Sequence, residues 1–156
     1  MEKVYMDRLL KLAAFLDKMK PSKFDYSTIY DTNCKTTGCA MGWCPVVFPG
    51  SFQYGEVPFE KNTKYDEDNK EVEVLGYGVC LKSKPVKTPG FRTSILSAQK
   101  FFGLTKDESH ALFASFNEDW DVKKLPGLKV LGLNATAKQV ASHIRNFVKL
   151  KKEGKI

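Results

Sequence analysis

The sequence has few of the residues on which enzyme and metal sites usually depend. It contains two histidines, His110 and His143, and four cysteines that do not form the closely spaced pairs of structural zinc sites. Only three of its 25 basic residues are arginines, whereas specific phosphate and base recognition favours the planar arginine fork. The composition therefore gives little direct support to a metal enzyme or to a sequence-specific nucleic-acid reader.

Long apolar runs are also missing. No stretch approaches the roughly 20 residues that are needed to cross a bilayer. Residues 1–8 interleave charged and apolar side chains and lack the apolar stretch of a signal peptide. We therefore expect a cytoplasmic protein, in which cysteines stay reduced. With 156 residues, the chain is long enough to form a single domain, residues 1–156, and its 42% hydrophobic residues are enough to form a core.

The net charge of +7 is distributed unevenly along the chain. Residues 1–35 carry a net charge of +2, residues 36–80 carry −4, and residues 81–156 carry +9. A basic C-terminal half attracts anions such as nucleic acid, nucleotide phosphates or an acidic protein. Because runs of charge are usually solvated surface, we favour solvation over a nucleic-acid site and keep nucleic-acid binding as an alternative.

Residues 34–45, with the sequence C-K-T-T-G-C-A-M-G-W-C-P, are the most informative segment. Thr36 and Thr37 are residues that cap a helix N-terminus, and Pro45 is expected to end the short helix that they begin. The two glycines of the segment, four residues apart, would then share one helix face. We interpret the segment as a tight internal joint against which another part of the backbone packs closely.

The pattern C-x-T-x-x-C-A-x-G-W in this segment resembles a group of small uncharacterised proteins from bacteriophages and bacterial genomes. Three further parts of the chain are similar to that group: the N-terminal helix with Phe24–Tyr26, the stretch from Phe101 to Phe113, and the closing helix that starts at Thr136. The resemblance implies a phage or prophage accessory protein. It implies no particular activity.

Apolar periodicity predicts four to five helices. Residues 3–19 are predicted to form the first, because one apolar stripe repeats at spacings of four and three. Residues 92–102 are predicted to form another, which ends at Gly103. Capping boxes that begin at Thr105 and Thr136 start two more helices, since a Glu or Gln three residues later bonds back to each cap.

Residues 46–90 are predicted to form a β-hairpin insertion between the helices. Apolar and polar residues alternate in Phe52–Val57, and a second run, Val72–Leu81, contains an irregularity marked by Gly78. The polar residues 61–70 between the two runs are expected to form an exposed loop. The predicted fold class is therefore α+β, mainly α-helical, with four to five helices and a small antiparallel β-hairpin insertion.

The cysteines raise the possibility of metal or thiol chemistry. Cys34, Cys39 and Cys44 are five residues apart, and on a helix the last two would lie about 140° apart around the axis, which does not suit one tetrahedral ion. Cys39 near a helix N-terminus would have a lowered pKa, but a nucleophile also needs a base. His110 is expected to be a surface or partly buried residue and His143 to be exposed. We expect buried, reduced cysteines with no metal and no cofactor, and keep a cysteine- or zinc-dependent enzyme as an alternative.

Two sets of residues are candidate binding sites. A helix N-terminus presents free N–H groups that can hold a phosphate or carboxylate, and the candidate anion-binding residues are Lys35, Thr36, Thr37, Gly38, Arg92 and Arg145. Phe116 and Trp120 lie in a polar loop and are candidate contacts with a protein partner, because tryptophan is enriched at binding hot spots. We expect a non-enzymatic protein that sequesters a host protein or an anionic small ligand in counter-defence.

Overall fold

The computed structural model describes residues 1–26, 38–65, 71–83, 90–113, 125–129 and 131–156, and for residues 56–65, 71–77 and 90–93 it describes the backbone. The first helix, α1, runs from Lys3 to Asp17, two residues short of the predicted end. Its buried residues are Leu9, Leu12, Ala13 and Leu16. The apolar stripe predicted from spacing is therefore the face that α1 turns towards the core.

The segment after α1 differs from its prediction. Residues 40–43 form turns, and the short helix α2 runs from Cys44 to Val47. Pro45 lies in the first turn of α2, so the prediction that it ends a helix is wrong. Proline suits a first helical turn, because the N–H that it lacks would have no partner inside the helix. The prediction that Gly38 and Gly42 share a helix face is also wrong, because both residues precede α2.

The β-hairpin is longer than predicted. Strand β1 runs from Phe52 to Tyr65 and strand β2 from Glu71 to Leu81, and the two are antiparallel. Residues 61–65, predicted as loop, therefore belong to β1, while residues 66–70 lie outside the described part of the chain. The ladder is irregular between Pro58 and Thr63, and not at the predicted Gly78, which pairs directly with Gly55.

The later helices agree with their predictions. Helix α3 runs from Gly90 to Phe102, α4 from Lys106 to Phe113, and α5 from Ala137 to Lys152. Gly103 follows α3 with a φ of 62°, the left-handed conformation expected of a helix-ending glycine. Both capping boxes are present: Glu108 accepts from the Thr105 N–H, and Gln139 accepts from the Thr136 N–H.

The buried residues of all these elements form one hydrophobic cluster. Its centre is a set of rings that meet mostly edge to face, and these are Phe48, Phe52, Phe101, Phe102 and Phe113. Arg8 of α1 lies over one edge of this set, with its guanidinium carbon 4.2 Å from the centroid of the Phe101 ring. The predicted α+β, mainly helical fold class is confirmed: the described part contains five α-helices and one two-stranded antiparallel sheet.

Candidate functional site

The ends of the segment between Lys23 and Gly38 are held together by backbone hydrogen bonds. Gly38 donates its N–H to the Lys23 carbonyl at 3.4 Å, and its own carbonyl accepts from the Asp25 N–H at 3.3 Å. Phe24 and Gly38 form a parallel β-bridge between these two bonds. Residues 23–25 and Gly38, which lie on either side of residues 27–37, are therefore adjacent in the structure.

The Trp43 side chain is hydrogen-bonded to both strands of this junction. Its indole Nε1–H lies 3.1 Å from the Lys23 carbonyl oxygen and 3.0 Å from the Gly38 carbonyl oxygen. The ring packs against Phe15 of α1 with their centroids 5.9 Å apart. We call Lys23, Asp25, Gly38 and Trp43 the Trp43 clasp. The Trp43 side chain is partly buried, and its N–H has the Lys23 and Gly38 carbonyl oxygens as partners.

The turn that carries Trp43 is itself tied to the hairpin. The Tyr54 hydroxyl of β1 donates to the Gly42 carbonyl at 2.8 Å, and the backbone N–H of Trp43 donates to the Cys39 carbonyl. The indole therefore packs on α1, and the turn that carries it is bonded to β1. The sequence signal for this role is Trp43, which ends the motif. The sequence predicts it within a short helix, whereas it lies in the turn before α2.

The described cysteines are packed as apolar residues. Cys39, Cys44 and Cys80 are free thiols, each no more than 5% exposed. Burial raises the pKa of Cys39 and raises that of Cys44 further. The lowered pKa considered for Cys39 is therefore contradicted, because no helix begins at this residue and the thiol is desolvated. Among the described residues no group of three or more His, Cys, Asp or Glu side chains could hold a metal ion, and Cys34 lies outside them.

The two histidines lie in different surroundings. His143 is 7% exposed, so the prediction that it is exposed is wrong. Its Nε2 is 2.9 Å from the Ala111 carbonyl oxygen, and because a carbonyl only accepts, Nε2 carries the proton. Burial lowers the pKa of His143, which favours the neutral ring. His110 is partly buried, as expected, and burial lowers its pKa too.

The predicted anion-binding residues are only partly described. Lys35, Thr36 and Thr37 lie outside the described residues, so their roles stay predictions. Gly38 belongs to the Trp43 clasp, where both its N–H and its carbonyl are hydrogen-bonded.

The two candidate arginines are on helices. Arg92 is in the first turn of α3, where the structure describes the backbone. Arg145 of α5 forms an ion pair with Asp17 of α1 through both of its terminal nitrogens. This bond, more than any other cause, lowers the pKa of Asp17. Gly38 and Arg145 are thus engaged with different partners, and the candidate protein contacts Phe116 and Trp120 lie outside the described residues.

None of the helices in the described part of the chain is long and apolar enough to cross a membrane. Comparison of the chain with protein-family models finds no match. Comparisons with curated proteins and with solved structures find no match either. The candidate functional site is therefore chosen from the geometry alone, and it is the Trp43 clasp.

Proposed function

We propose that the chain is a non-enzymatic binding protein that presents the segment between the two ends of the Trp43 clasp to a partner. The observation that carries this proposal is the indole hydrogen bond of Trp43 to both Lys23 and Gly38. Binding residues are disproportionately found on segments whose ends are positioned by a rigid scaffold. The clasp supplies such a scaffold.

The surroundings of the described thiols support binding over thiol chemistry. A reactive cysteine needs an accessible thiolate in an electropositive environment. Cys39 and Cys44 are instead buried, with raised pKa values, and the Cys44 thiol lies 3.6 Å from the Ala40 carbonyl oxygen. The alternative of a cysteine- or zinc-dependent enzyme is therefore less favoured than binding.

A protein partner is favoured over an anionic small ligand. An anion at a chain turn is held by backbone N–H groups that point towards it. The N–H of Gly38 is already donated to Lys23, and Arg145 is already paired with Asp17. The remaining candidates for an anion site are Lys35, Thr36, Thr37 and Arg92. Phe116 and Trp120 remain the candidate contacts for a protein.

The biological setting comes from the resemblance of the motif. We assign the chain to the accessory proteins of phages and prophages, and its action to the host cytoplasm. There it would bind and block a host component, in counter-defence. Two residues of the motif, Gly38 and Trp43, belong to the clasp, so part of the motif has a structural role.

Affinity capture with matched variants tests the proposal. Trp43→Phe keeps an aromatic ring against Phe15 but removes the N–H that holds the clasp, and it should weaken capture of a stoichiometric host protein at least about tenfold. Trp120→Ala should weaken capture as well, whereas Lys35→Ala should leave it unchanged. The captured protein is then purified and its binding to the wild-type chain is measured directly.

Three outcomes would contradict the proposal or part of it. Equal binding by wild type and Trp43→Phe would show that the clasp is not needed for binding. Loss of binding in Lys35→Ala with Trp120→Ala unaffected would favour the anionic ligand. For the counter-defence role, expression of the chain in strains that each carry one anti-phage system should restore plaque formation in at least one, and restoration in none would remove that role.

Nucleic-acid binding stays the alternative, because α5 carries exposed basic residues on one face. Several basic residues of this region are already paired: Arg145 with Asp17, Lys151 with Glu108, and Lys155 with Glu153. Paired residues contribute less to phosphate binding, since a phosphate must compete with the carboxylate. Affinity for DNA or RNA that falls steeply with added salt would support the alternative, and absence of binding at low salt would remove it.

A further inference from the structure

Two side chains from distant parts of the sequence hold the last turn of α4. The final four carbonyls of a helix have no partner within it, and in α4, which ends at Phe113, these include the Ala111 and Leu112 carbonyls. The Ala111 carbonyl accepts from His143 Nε2 of α5 at 2.9 Å. The Leu112 carbonyl accepts from the Tyr26 hydroxyl at 3.4 Å. Neighbouring carbonyls of one turn are therefore bonded to α5 and to the chain that follows α1.

Both donors are buried, so water does not readily replace them. Tyr26 is 3% exposed and His143 is 7% exposed. Burial raises the pKa of Tyr26, so its hydroxyl keeps the proton that it donates. Removing a buried donor leaves a carbonyl with an unmade hydrogen bond, which is costly. The position of the last turn of α4 therefore depends on both side chains.

Tyr26 connects this turn to the Trp43 clasp. It directly follows Asp25, whose N–H donates to the Gly38 carbonyl within the clasp. Its ring stacks on that of Phe24, with the centroids 6.3 Å apart, and Phe24 forms the β-bridge with Gly38. A shift of Tyr26 is therefore passed to the clasp through the backbone at Asp25 and through the Phe24 ring.

His143 is the residue in this series of contacts that can change its charge close to neutral pH. Its neutral ring carries the proton on Nε2, and Nδ1 has no hydrogen-bond partner among the described residues. Val140 and Phe147, three and four residues away on the same face of α5, are fully buried. A second proton would place a positive charge in these apolar surroundings, and a charge without a partner is unstable there. We therefore expect the protonated ring to move towards water.

The charged groups around His143 are engaged with one another. In the described part of the chain α5 packs mainly against α1 and α4. The titratable groups that join or flank these contacts are two ion pairs and one further ring, namely Asp17–Arg145, Glu108–Lys151 and His110. The pKa of His143 is lowered by burial and raised, to a smaller extent, by the bond to Ala111. The ring is therefore neutral at neutral pH and takes up its second proton at a lower pH than an exposed histidine.

We propose that His143 is a pH-sensitive switch that acts on the Trp43 clasp through the last turn of α4 and Tyr26. At neutral pH the ring donates to Ala111 and holds the turn, so that Tyr26 keeps its bond to Leu112 and the clasp keeps its hydrogen bonds. On acidification the charged ring leaves Ala111, the turn loosens, and the hydrogen bonds of the clasp open more often. Use of this switch to release a partner rests on the proposed function, whereas the coupling itself is a property of the free chain.

Hydrogen exchange of the free chain over a pH series tests the coupling. The titration of the His143 ring is followed by NMR, and the protection of the Asp25 and Gly38 amides is measured at the same pH values, corrected for the intrinsic pH dependence of exchange. Protection should fall at least about tenfold with the same midpoint as the ring, while the Leu12 amide in the middle of α1 should change less. Three results would each overturn the proposal: unchanged protection while the ring titrates, a fall with a different midpoint, or an equal fall at Leu12.

Three variants test the route. His143→Gln keeps a donor for Ala111 but does not titrate, so the protection of the clasp amides should no longer fall on acidification. Tyr26→Phe keeps the aromatic ring but removes the hydroxyl, so the His143 ring should titrate without a matching fall at the clasp. In His110→Gln the fall should remain as in wild type. A fall that persists in His143→Gln or in Tyr26→Phe would overturn the proposal, as would its loss in His110→Gln.

The wild-type midpoints decide the matter if a variant does not fold, because that comparison needs no substitution. Failure of this proposal is also distinct from failure of the proposed function. Exchange is measured on the free chain over a pH series, whereas capture of a partner is measured at one pH, so either result can be negative without the other.

Discussion

Glu108 and Lys151 form an ion pair that joins the start of α4 to the end of α5. The side chains are 7% and 17% exposed. The second carboxylate oxygen of Glu108 accepts the Thr105 N–H at 2.8 Å, so the same residue closes the capping box of α4. One carboxylate thus satisfies a helix N-terminus and a nearly buried ammonium group.

This pair predicts strong coupling between two substitutions. Lys151→Met leaves the Glu108 charge buried without its partner, and Glu108→Gln leaves the Lys151 ammonium in the same position. Each should lower the free energy of unfolding by about 2–4 kcal/mol. The double variant should lose at least about 1 kcal/mol less than the sum. Urea unfolding of the four proteins measures the coupling, and additive losses would contradict the described geometry.

Gly103 predicts a second stability difference with a matched control. A Cβ at Gly103 would lie 2.4 Å from Cδ2 of Tyr5, and the backbone there has a φ of 62°. At Gly154, with a φ of 65°, a Cβ would meet nothing within 4 Å. Both Ala variants should lose about 1 kcal/mol from the left-handed backbone, and Gly103→Ala should lose about 1–3 kcal/mol more from overpacking. Equal melting temperatures for the two variants would exclude the Tyr5 contact.

His143 predicts a pH dependence of stability. Its pKa is lowered in the folded protein from the ordinary value of 6.5, so the unfolded chain binds the proton more readily. Stability from this group is therefore fully present above about pH 6.5 and is lost as the pH falls towards the lowered pKa. His143→Gln should flatten this part of the profile.

His110, whose pKa is also lowered by burial, provides the comparison for that experiment. His110→Gln should leave the contribution of His143 in place. Free energies of unfolding measured by urea between about pH 5 and pH 8 separate the two histidines. An unchanged profile in His143→Gln would show that this ring is not a buried neutral donor to Ala111.

The described thiols predict a simple labelling result. Cys34→Ser leaves Cys39, Cys44 and Cys80, each no more than 5% exposed. Their native reaction with a thiol reagent should be slow, and denaturant should expose all three. A fast native reaction of any one of them would contradict its burial and would make thiol chemistry a candidate function again.

Local signals predicted much of the helical part. The capping boxes at Thr105 and Thr136 were correct because each depends on residues within one turn. His143 was predicted wrongly although a signal was present: it lies about 60° around the helix from Val140, within the arc of the buried residues.

Features that depend on distant contacts were not predictable from the sequence. Pro45 is acceptable either just after a helix or in its first turn, so the residue by itself does not predict on which side of it the helix lies. The pairing of Arg145 with Asp17 joins residues 128 apart in sequence. The length of β1 depends on pairing with β2, because residues 61–65 give a mixed strand signal: Thr63 and Tyr65 favour strands, whereas the two lysines and the asparagine do not.

The exchange of two backbone amides tests the central claim most directly, namely that Trp43 holds the backbone at Lys23–Asp25 and the backbone at Gly38 together. Hydrogen exchange measured by NMR should be slow at the Asp25 and Gly38 amides in the wild-type protein, because both donate across the clasp. In Trp43→Phe both amides should exchange at least about tenfold faster, while amides of α5 keep their rates. Unchanged rates at Asp25 and Gly38 in that variant would contradict the account.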